Sequence, residues 1–339
     1  MSARTIKDVA DAAGVSPAAV SLFLNDRPGI SQATRERIAA AIRSLGYVPR
    51  ANNRRAASGA FVGMLVERLP LPVHADHFYA GVLQGLQAEA ERLGYNLALS
   101  VVDPAQGGLP RLIAEQHAAG IVAVGGGDIT DALLDRVAEE GVPLVAVDNQ
   151  SRTRSIDCVV TDNQQGAYAL TQHLLALGHR RIAFIQGPAK YKSLGERYQG
   201  YCQALREAGL PLDERLVQPA ISSGIPRKGY REMQRLLELD PLPTAVFAAS
   251  DRTAVGALDA IRERGLRVPD DISLAGFDGV ALGEYANPPL TTVRTRTYEM
   301  GVAAMQRLDA LIGGRAVAPM RLVLYTDLVV RQSTAPPRR

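Results

Sequence analysis

From Phe61 onward, short apolar runs alternate with longer amphipathic stretches, and this alternation restricts the fold more than any other feature of the chain. The apolar runs predict strands at Val62–Val66, Leu97–Val102, Ile121–Val124, Leu144–Val147, Val159–Thr161, Ile182–Gln186, Ala245–Ala248 and Ser273–Phe277. Helical spacing between them predicts helices over Ala80–Leu93, Gln164–Leu177, Gly195–Ala208 and Thr253–Arg264, with Gly94, Gly178, Gly209 and Gly265 as stops. A helix between two strands returns the chain to the same end of the sheet, so the strands pair in parallel and both faces are covered. About 270 residues of this pattern exceed one ordinary core and predict two such lobes. A ligand then belongs at the carboxyl ends of the strands or between the lobes.

The first 60 residues follow a different rule. Thr5 caps a predicted helix in which Ile6, Val9, Ala10 and Ala13 form one apolar stripe, and Gly14 stops it. Ser16-Pro17 is a cap followed by proline at the first helical position, so a second helix runs to Leu24 and ends near Asn25-Asp26. After the breaker Arg27-Pro28-Gly29, Ser31 caps a third helix through Leu45 whose core face is Ile38, Ala41, Ile42 and Leu45. Two helices joined at Gly14-Val15-Ser16 make a helix-turn-helix, which sets its second helix in the DNA major groove. Charge agrees. Residues 1–60 hold nine Lys/Arg against four Asp/Glu, a surplus of five, and since the whole chain carries +3 the remainder carries −2. A compact basic module on a near-neutral body is what phosphate binding requires. Residues 49–60 form a polar, basic connector without a large apolar side chain. The expected division is therefore 1–48 head, 49–60 hinge or linker, and 61–339 two-lobed core.

Other classes are disfavoured. No apolar run reaches the ~18 residues of a membrane span, and Met1–Asp8 lacks the apolar region of a secretory signal. A plain solute-binding protein would need such a signal and no DNA-binding head. Two distant cysteines, Cys158 and Cys202, and five scattered histidines point to a reduced, cytoplasmic protein without a metal site. Gly125-Gly126-Gly127 follows a strand, but Thr130 occupies the place of the last glycine in a dinucleotide loop. No paired catalytic residues stand out. A non-enzyme without a cofactor is expected, and the chain's end lacks the heptads of a tetramerising tail.

The blocks Thr5-Ile6-Lys7-Asp8-Val9-Ala10, Ala13-Gly14-Val15-Ser16 and Leu45-Gly46-Tyr47-Val48-Pro49 resemble the head of the LacI/GalR family of transcriptional regulators. Leu177-Gly178-His179-Arg180, Arg197-Tyr198-Gln199-Gly200, Val268-Pro269-Asp270-Asp271-Ile272-Ser273, Gly276-Phe277-Asp278 and Pro289-Leu290-Thr291-Thr292-Val293 extend the likeness through the body in the family's order. The resemblance implies an all-α helix-turn-helix head on an α/β periplasmic-binding-protein-like core of two parallel-sheet lobes. It also implies a homodimer on near-palindromic, double-stranded operator DNA, controlled by a small-molecule effector. Thr5, Ser16, Ser21, Asn25, Ser31, Thr34 and Tyr47 match phosphate-contacting positions, although Ser16 and Ser31 also serve as caps. Pro17, Ala18 and Leu22 match the base-reading face. Arginine is frequent in relatives where this chain has Leu22, which can touch a thymine methyl but cannot grip guanine, or else packs inside the head. In the connector, Ala56 replaces the wedging leucine of relatives, leaving Asn53, Arg54 and Arg55 either as minor-groove contacts or as a solvated linker.

The resemblance places Phe78, Tyr79 and Asp148 at the effector cleft from the first lobe, and Arg197, Asp251, Arg252 and Asp278 from the second. Carboxylates with a forked guanidinium suit a polyhydroxylated ligand, so a sugar or sugar derivative is expected, with a nucleoside or organic anion as the alternative. Each residue also has a structural reading: Phe78 as core, Asp251 as a helix cap, Arg197 in an internal ion pair. Two departures stand out: Ser250 replaces an asparagine, and Gly224-Ile225 replaces a stacking aromatic, a loss that weakens the case for a neutral sugar. Arg252 adds positive charge, which favours an anion.

Overall fold

A computed structural model describes residues 5–24, 29–45, 60–68, 76–103, 113, 118–221 and 228–338. They fall into two compact units, the first carrying the three N-terminal helices and the second every strand.

In the first unit, α1 (Ile6–Ala13), α2 (Pro17–Leu24) and α3 (Gln32–Leu45) surround a core of Val9, Ala10, Ala13, Val20, Ile38 and Ala41. The Thr5 hydroxyl accepts from the Asp8 amide while the Asp8 carboxylate accepts from the Thr5 amide, a reciprocal cap for α1. Gly14 ends the helix at φ 61°, a left-handed conformation that a side chain would strain.

The second unit begins with β1 (Phe61–Glu67), α4 (His77–Leu93), β2 (Asn96–Val102), β3 (Gly120–Val124), α5 (Asp131–Glu139), β4 (Leu144–Val147) and β5 (Asp157–Thr161). The chain then enters a second lobe through α6 (Asn163–Ala176), β6 (Ile182–Ile185), α7 (Lys192–Glu207), β7 (Val217–Gln218), α8 (Tyr230–Leu236), β8 (Ala245–Ala248), α9 (Asp251–Glu263), β9 (Ser273–Ala275) and the short α10 (Ala281–Glu284). β10 (Thr292–Arg294) leads back to α11 (Thr297–Ile312) and β11 (Arg321–Leu324), and β12 (Asp327–Val329) follows.

The six-stranded sheet has the order β11-β5-β4-β3-β1-β2 and the four-stranded sheet the order β7-β6-β8-β9, parallel throughout. On β6, Ile182 and Phe184 face one core while Ala183 and Ile185 face another. That two-sided burial is why these strands read as unbroken apolar runs. β10 and β12 pair antiparallel where the chain passes between lobes. The three passages lie at 161–163, 294–297 and 324–327, and are tied together by the Asp162 amide donating to the Leu324 carbonyl at 2.9 Å and by Arg296–Asp327 at 2.8 Å.

All eight predicted strands form. β7, β10, β11 and β12 escape sequence reading because they are two to four residues long and largely exposed or polar. α4, α7 and α9 start two or three residues before their predicted starts. Their first turns are built from capping and cleft residues rather than from the apolar stripe.

α4 and α11 approach at a seam of glycines. A methyl group at Gly85 would lie 2.0 Å from the Tyr298 carbonyl oxygen, and one at Gly301 would lie 2.2 Å from that of Val82. In an open helix, glycine to alanine gains about 1 kcal/mol. Here backbone meets backbone, so Gly85→Ala should instead destabilise the fold by roughly 1–3 kcal/mol, measured by urea unfolding of the full chain.

Candidate nucleic-acid interface and ligand cleft

The three helices of the head each begin at an exposed hydroxyl. Ser16 Oγ accepts from the Ala19 amide at 3.2 Å, and Ser31 Oγ accepts from the Thr34 amide at 3.2 Å while bonding the Thr34 hydroxyl at 2.9 Å. Helix starts present unpaired N–H groups and the positive end of the helix dipole, which attract phosphate. Capping does not exclude phosphate contact at Thr5, Ser16 or Ser31, since all three residues remain exposed. Pro17 and Ala18 are exposed at the start of α2. Leu22 is half-buried but is not part of the head's apolar core; its Cδ1 reaches to 3.5 Å from where a side chain on Gly29 would begin. Asn25, Tyr47, Asn53, Arg54, Arg55 and Ala56 lie outside the described residues, as do Gly224-Ile225 and the side chain of Ser21.

In the second unit a cavity of about 370 Å³ opens between the two lobes. Six of the seven sequence-predicted effector residues line it: Phe78, Tyr79, Asp148, Arg197, Arg252 and Asp278. Asp148 and Asp278 stand just beyond the carboxyl ends of β4 and β9. They are also the two non-glycine residues with positive φ among those described, at 52° and 113°. Such a backbone costs on the order of 1–3 kcal/mol and persists only where its surroundings enforce it. Asp278 is enforced by β10 and its extension: its amide donates to the Val293 carbonyl at 2.8 Å, and its carbonyl accepts from the Thr295 amide at 3.1 Å.

Arg197, on α7, is almost fully enclosed. Its Nε donates to Asn163 Oδ1 at 3.0 Å, its Nη1 donates to the Ala249 carbonyl at 2.7 Å and pairs with Asp278 at 2.8 Å, and its plane lies 3.8 Å from the Phe277 ring centre. Burial raises the Asp278 pKa, with the Arg197 charge opposing. Burial pushes Asp148 from the usual 3.8 up to about 7, again opposed by Arg197. Near neutrality Asp148 can therefore both donate to and accept from a ligand hydroxyl.

Asp251 sits elsewhere. It is fully buried behind the cavity, with one carboxylate oxygen accepting from the Thr292 hydroxyl at 2.6 Å and the other from the Val280 amide at 2.9 Å. It fastens the start of α9 to β10, while Ser250 caps that helix through the Thr253 amide and lines the cavity. Tyr79 is buried, its hydroxyl donating to Glu67 Oε1, and its ring meets Phe78 edge-on. Burial raises the Tyr79 pKa well above its usual value, and the Glu67 charge adds to the effect.

Several site residues were not anticipated. Glu67 ends β1 fully buried and accepts from the amides of Gly127 and Asp128, each at 3.0 Å. A carboxylate closing an apolar strand was a readable signal. Asp76 caps α4 and pairs with Arg252 across the cleft at 3.2 Å. Lys190 and Lys192, in and just after the loop following β6, reach Asp128 and Asp131 of the first lobe at 2.9 and 2.7 Å. Their place at the carboxyl end of a parallel strand marks them. Tyr191, Ser193 and Lys228 complete this wall.

A helix-turn-helix head joined to a two-lobed module with a cleft between the lobes lined by charged side chains defines a DNA-binding regulator with a periplasmic-binding-protein-like sensor. Residues 5–50 match the bacterial regulatory proteins of the lacI family, and residues 171–334 match the periplasmic binding protein-like domain. The HTH-type transcriptional regulator DegA of Bacillus subtilis (strain 168) is 34% identical over 338 residues, 98% of this chain and 98% of its own. A solved complex of the transcriptional regulator CelR with cellobiose aligns with a TM-score of 0.73 at 35% identity, covering 97% of this chain and 99% of that one. The lac repressor dimer bound to operator and the anti-inducer ONPF aligns at 0.72 and 27% identity, over 98% and 100%. This chain belongs to the lacI family of helix-turn-helix transcriptional regulators.

Arg197→Ala leaves the Asp278 carboxylate buried without its partner and should cost roughly 3–5 kcal/mol of stability, the scale of a broken buried ion pair; Arg197→Lys, which keeps the charge but loses the fork, should cost less. Urea unfolding reads both. A second expectation concerns pH. A carboxyl raised by burial favours the folded state while protonated, so its contribution is full below pH 3.8 and is lost as pH rises through about 7. Stability should decline through that window, and Asp148→Asn should flatten the decline, as followed by denaturation midpoints from pH 4 to 8.

Proposed function

We propose that this protein is a cytoplasmic, homodimeric repressor whose grip on a near-palindromic operator is set by a sugar or sugar derivative bound between the two lobes. Residues 1–48 serve as the DNA-binding head, 49–60 as the hinge, and 61–339 as the effector-binding and dimerising core. Phosphate contacts fall to Thr5, Ser16, Ser31 and Thr34, and base reading to Pro17, Ala18 and Leu22. The chain acts by binding and catalyses no reaction.

One observation carries the effector assignment. Asp148 and Asp278, on different lobes, are the two described non-glycine residues with left-handed backbone, and both line the cavity. Strain of that kind clusters at ligand sites. Acidic side chains aimed from facing strand ends accept paired hydrogen bonds from hydroxyl groups, and Arg197 fixes one of them in place. The glycine loop supports binding over nucleotide chemistry. Its amides at Gly127 and Asp128 are already taken by Glu67, so they offer nothing to a phosphate.

The test is binding of the full-length dimer to operators selected from a random DNA pool, with and without candidate effectors. Affinity should fall steeply with salt, by roughly 10³-fold or more between 50 and 200 mM if six or more phosphates are neutralised per dimer. Ser16→Ala and Ser31→Ala should weaken all sequences about equally, and a shift in base preference would remove them from the phosphate contacts. Leu22→Arg should move selection toward guanine at one position per half-site by ~1–3 kcal/mol; an unchanged motif in the folded variant would place Leu22 off the groove.

A further inference from the structure

Among the described residues, the cations lining the cleft are matched, with one exception. Arg68 pairs with Asp103 at 2.9 Å, Lys190 with Asp128 at 2.9 Å, Arg197 with Asp278 at 2.8 Å and Arg252 with Asp76 at 3.2 Å. Lys228 also lines the cavity, half-buried, and among the described residues its ammonium makes no hydrogen bond or ion pair. Asp278 and Asp76 lend it electrostatic support, but each is already paired with an arginine. We propose that the effector carries a carboxylate on a polyhydroxylated frame and that Lys228 is the residue that receives it.

This rests on the reading of the cleft as a sugar-derivative site and narrows the ligand to an acidic sugar. The cleft has two unlike poles. At one, Asp148 lies 3.5 Å from the Ser193 hydroxyl and suits ligand hydroxyls. At the other, Lys228 is a half-buried cation whose pKa is lowered by burial, and an incoming anion would relieve that cost. A monoanion fits better than a phosphate. One ammonium can balance one negative charge, whereas a second would face Asp278 and Asp76, whose arginines are already paired with them. Arg252, the cation that composition alone would select, is already spent on Asp76.

The experiment is titration calorimetry on the full-length protein. The probes are glucuronate, galacturonate and gluconate, each against its neutral parent (glucose or galactose), plus glucose 6-phosphate. At least one acidic sugar should bind tenfold or more tightly than its parent. Lys228→Met should abolish that preference, and Lys228→Arg should keep most of it. Without ligand, Lys228→Met should melt no lower than the parent protein, because among the described residues the ammonium it removes has no ion-pair or hydrogen-bond partner; a lower midpoint would mean a structural ion pair and would overturn the proposal. A neutral sugar binding as tightly as its acid, or an acid preference surviving in Lys228→Met, also overturns it while leaving the cleft reading intact. Preference for glucose 6-phosphate over every carboxylate overturns the choice of anion. If no probe of any class binds, both this proposal and the sugar reading fall.

Discussion

The guanidinium of Arg197 joins parts of the second lobe that lie far apart in the chain. It reaches the first residue of α6 through Asn163, the end of β8 through the Ala249 carbonyl, and the end of β9 through Asp278, while stacking on Phe277. A planar, permanently charged fork satisfies all of these at once, and lysine would not. In an enclosed setting each contact is both stronger than in water and more costly to leave unmade. The floor of the cleft therefore forms as one unit: the strained Asp278 backbone, the passage after β5 and the ends of two strands hold each other in place.

The lips of the cleft are built on a different energy scale. Lys190–Asp128, Lys192–Asp131 and Arg252–Asp76 join the lobes through side chains that water still reaches. Pairs of this kind contribute about 0–1 kcal/mol each and weaken with salt. The central strands of each parallel sheet are buried on both faces, so each lobe resists internal deformation. Three short passages and a few weak bridges then carry the freedom between lobes. A ligand needs only modest differential affinity to shift that balance.

Glu67 shows how one buried charge redirects a motif. A triple-glycine loop after a parallel strand ordinarily offers its amides to a phosphate, yet here the end of the neighbouring strand supplies a carboxylate from within the chain. The Tyr79 hydroxyl completes its coordination, which couples the loop to the first turn of α4, where Phe78 faces the cavity. A methyl group at Gly125 would lie 2.8 Å from Glu67 Oε1 and 2.6 Å from the Tyr79 hydroxyl oxygen, so the glycine there makes room for this cluster.

The three helices of the head with their caps, and eight parallel strands, were legible in the sequence. Those features depend on local rules: apolar periodicity, capping hydroxyls and the two-sided burial of parallel strands. Six of the residues that line the cleft were reached through the family resemblance, which carries positions over one by one and does not depend on local periodicity. What the sequence left open was pairing. Asp251 and Asp278 are both acids near strand ends, and only the packed structure turns one inward to hold β10 and the other toward the cavity. Arg252 and Lys228 are both cations on the same lobe, and only the position of Asp76, more than 150 residues away in the chain, determines which is already neutralised. Local periodicity reports which face of an element is buried. It carries no information about which distant charge will lie opposite, because that depends on how sheets and helices stack.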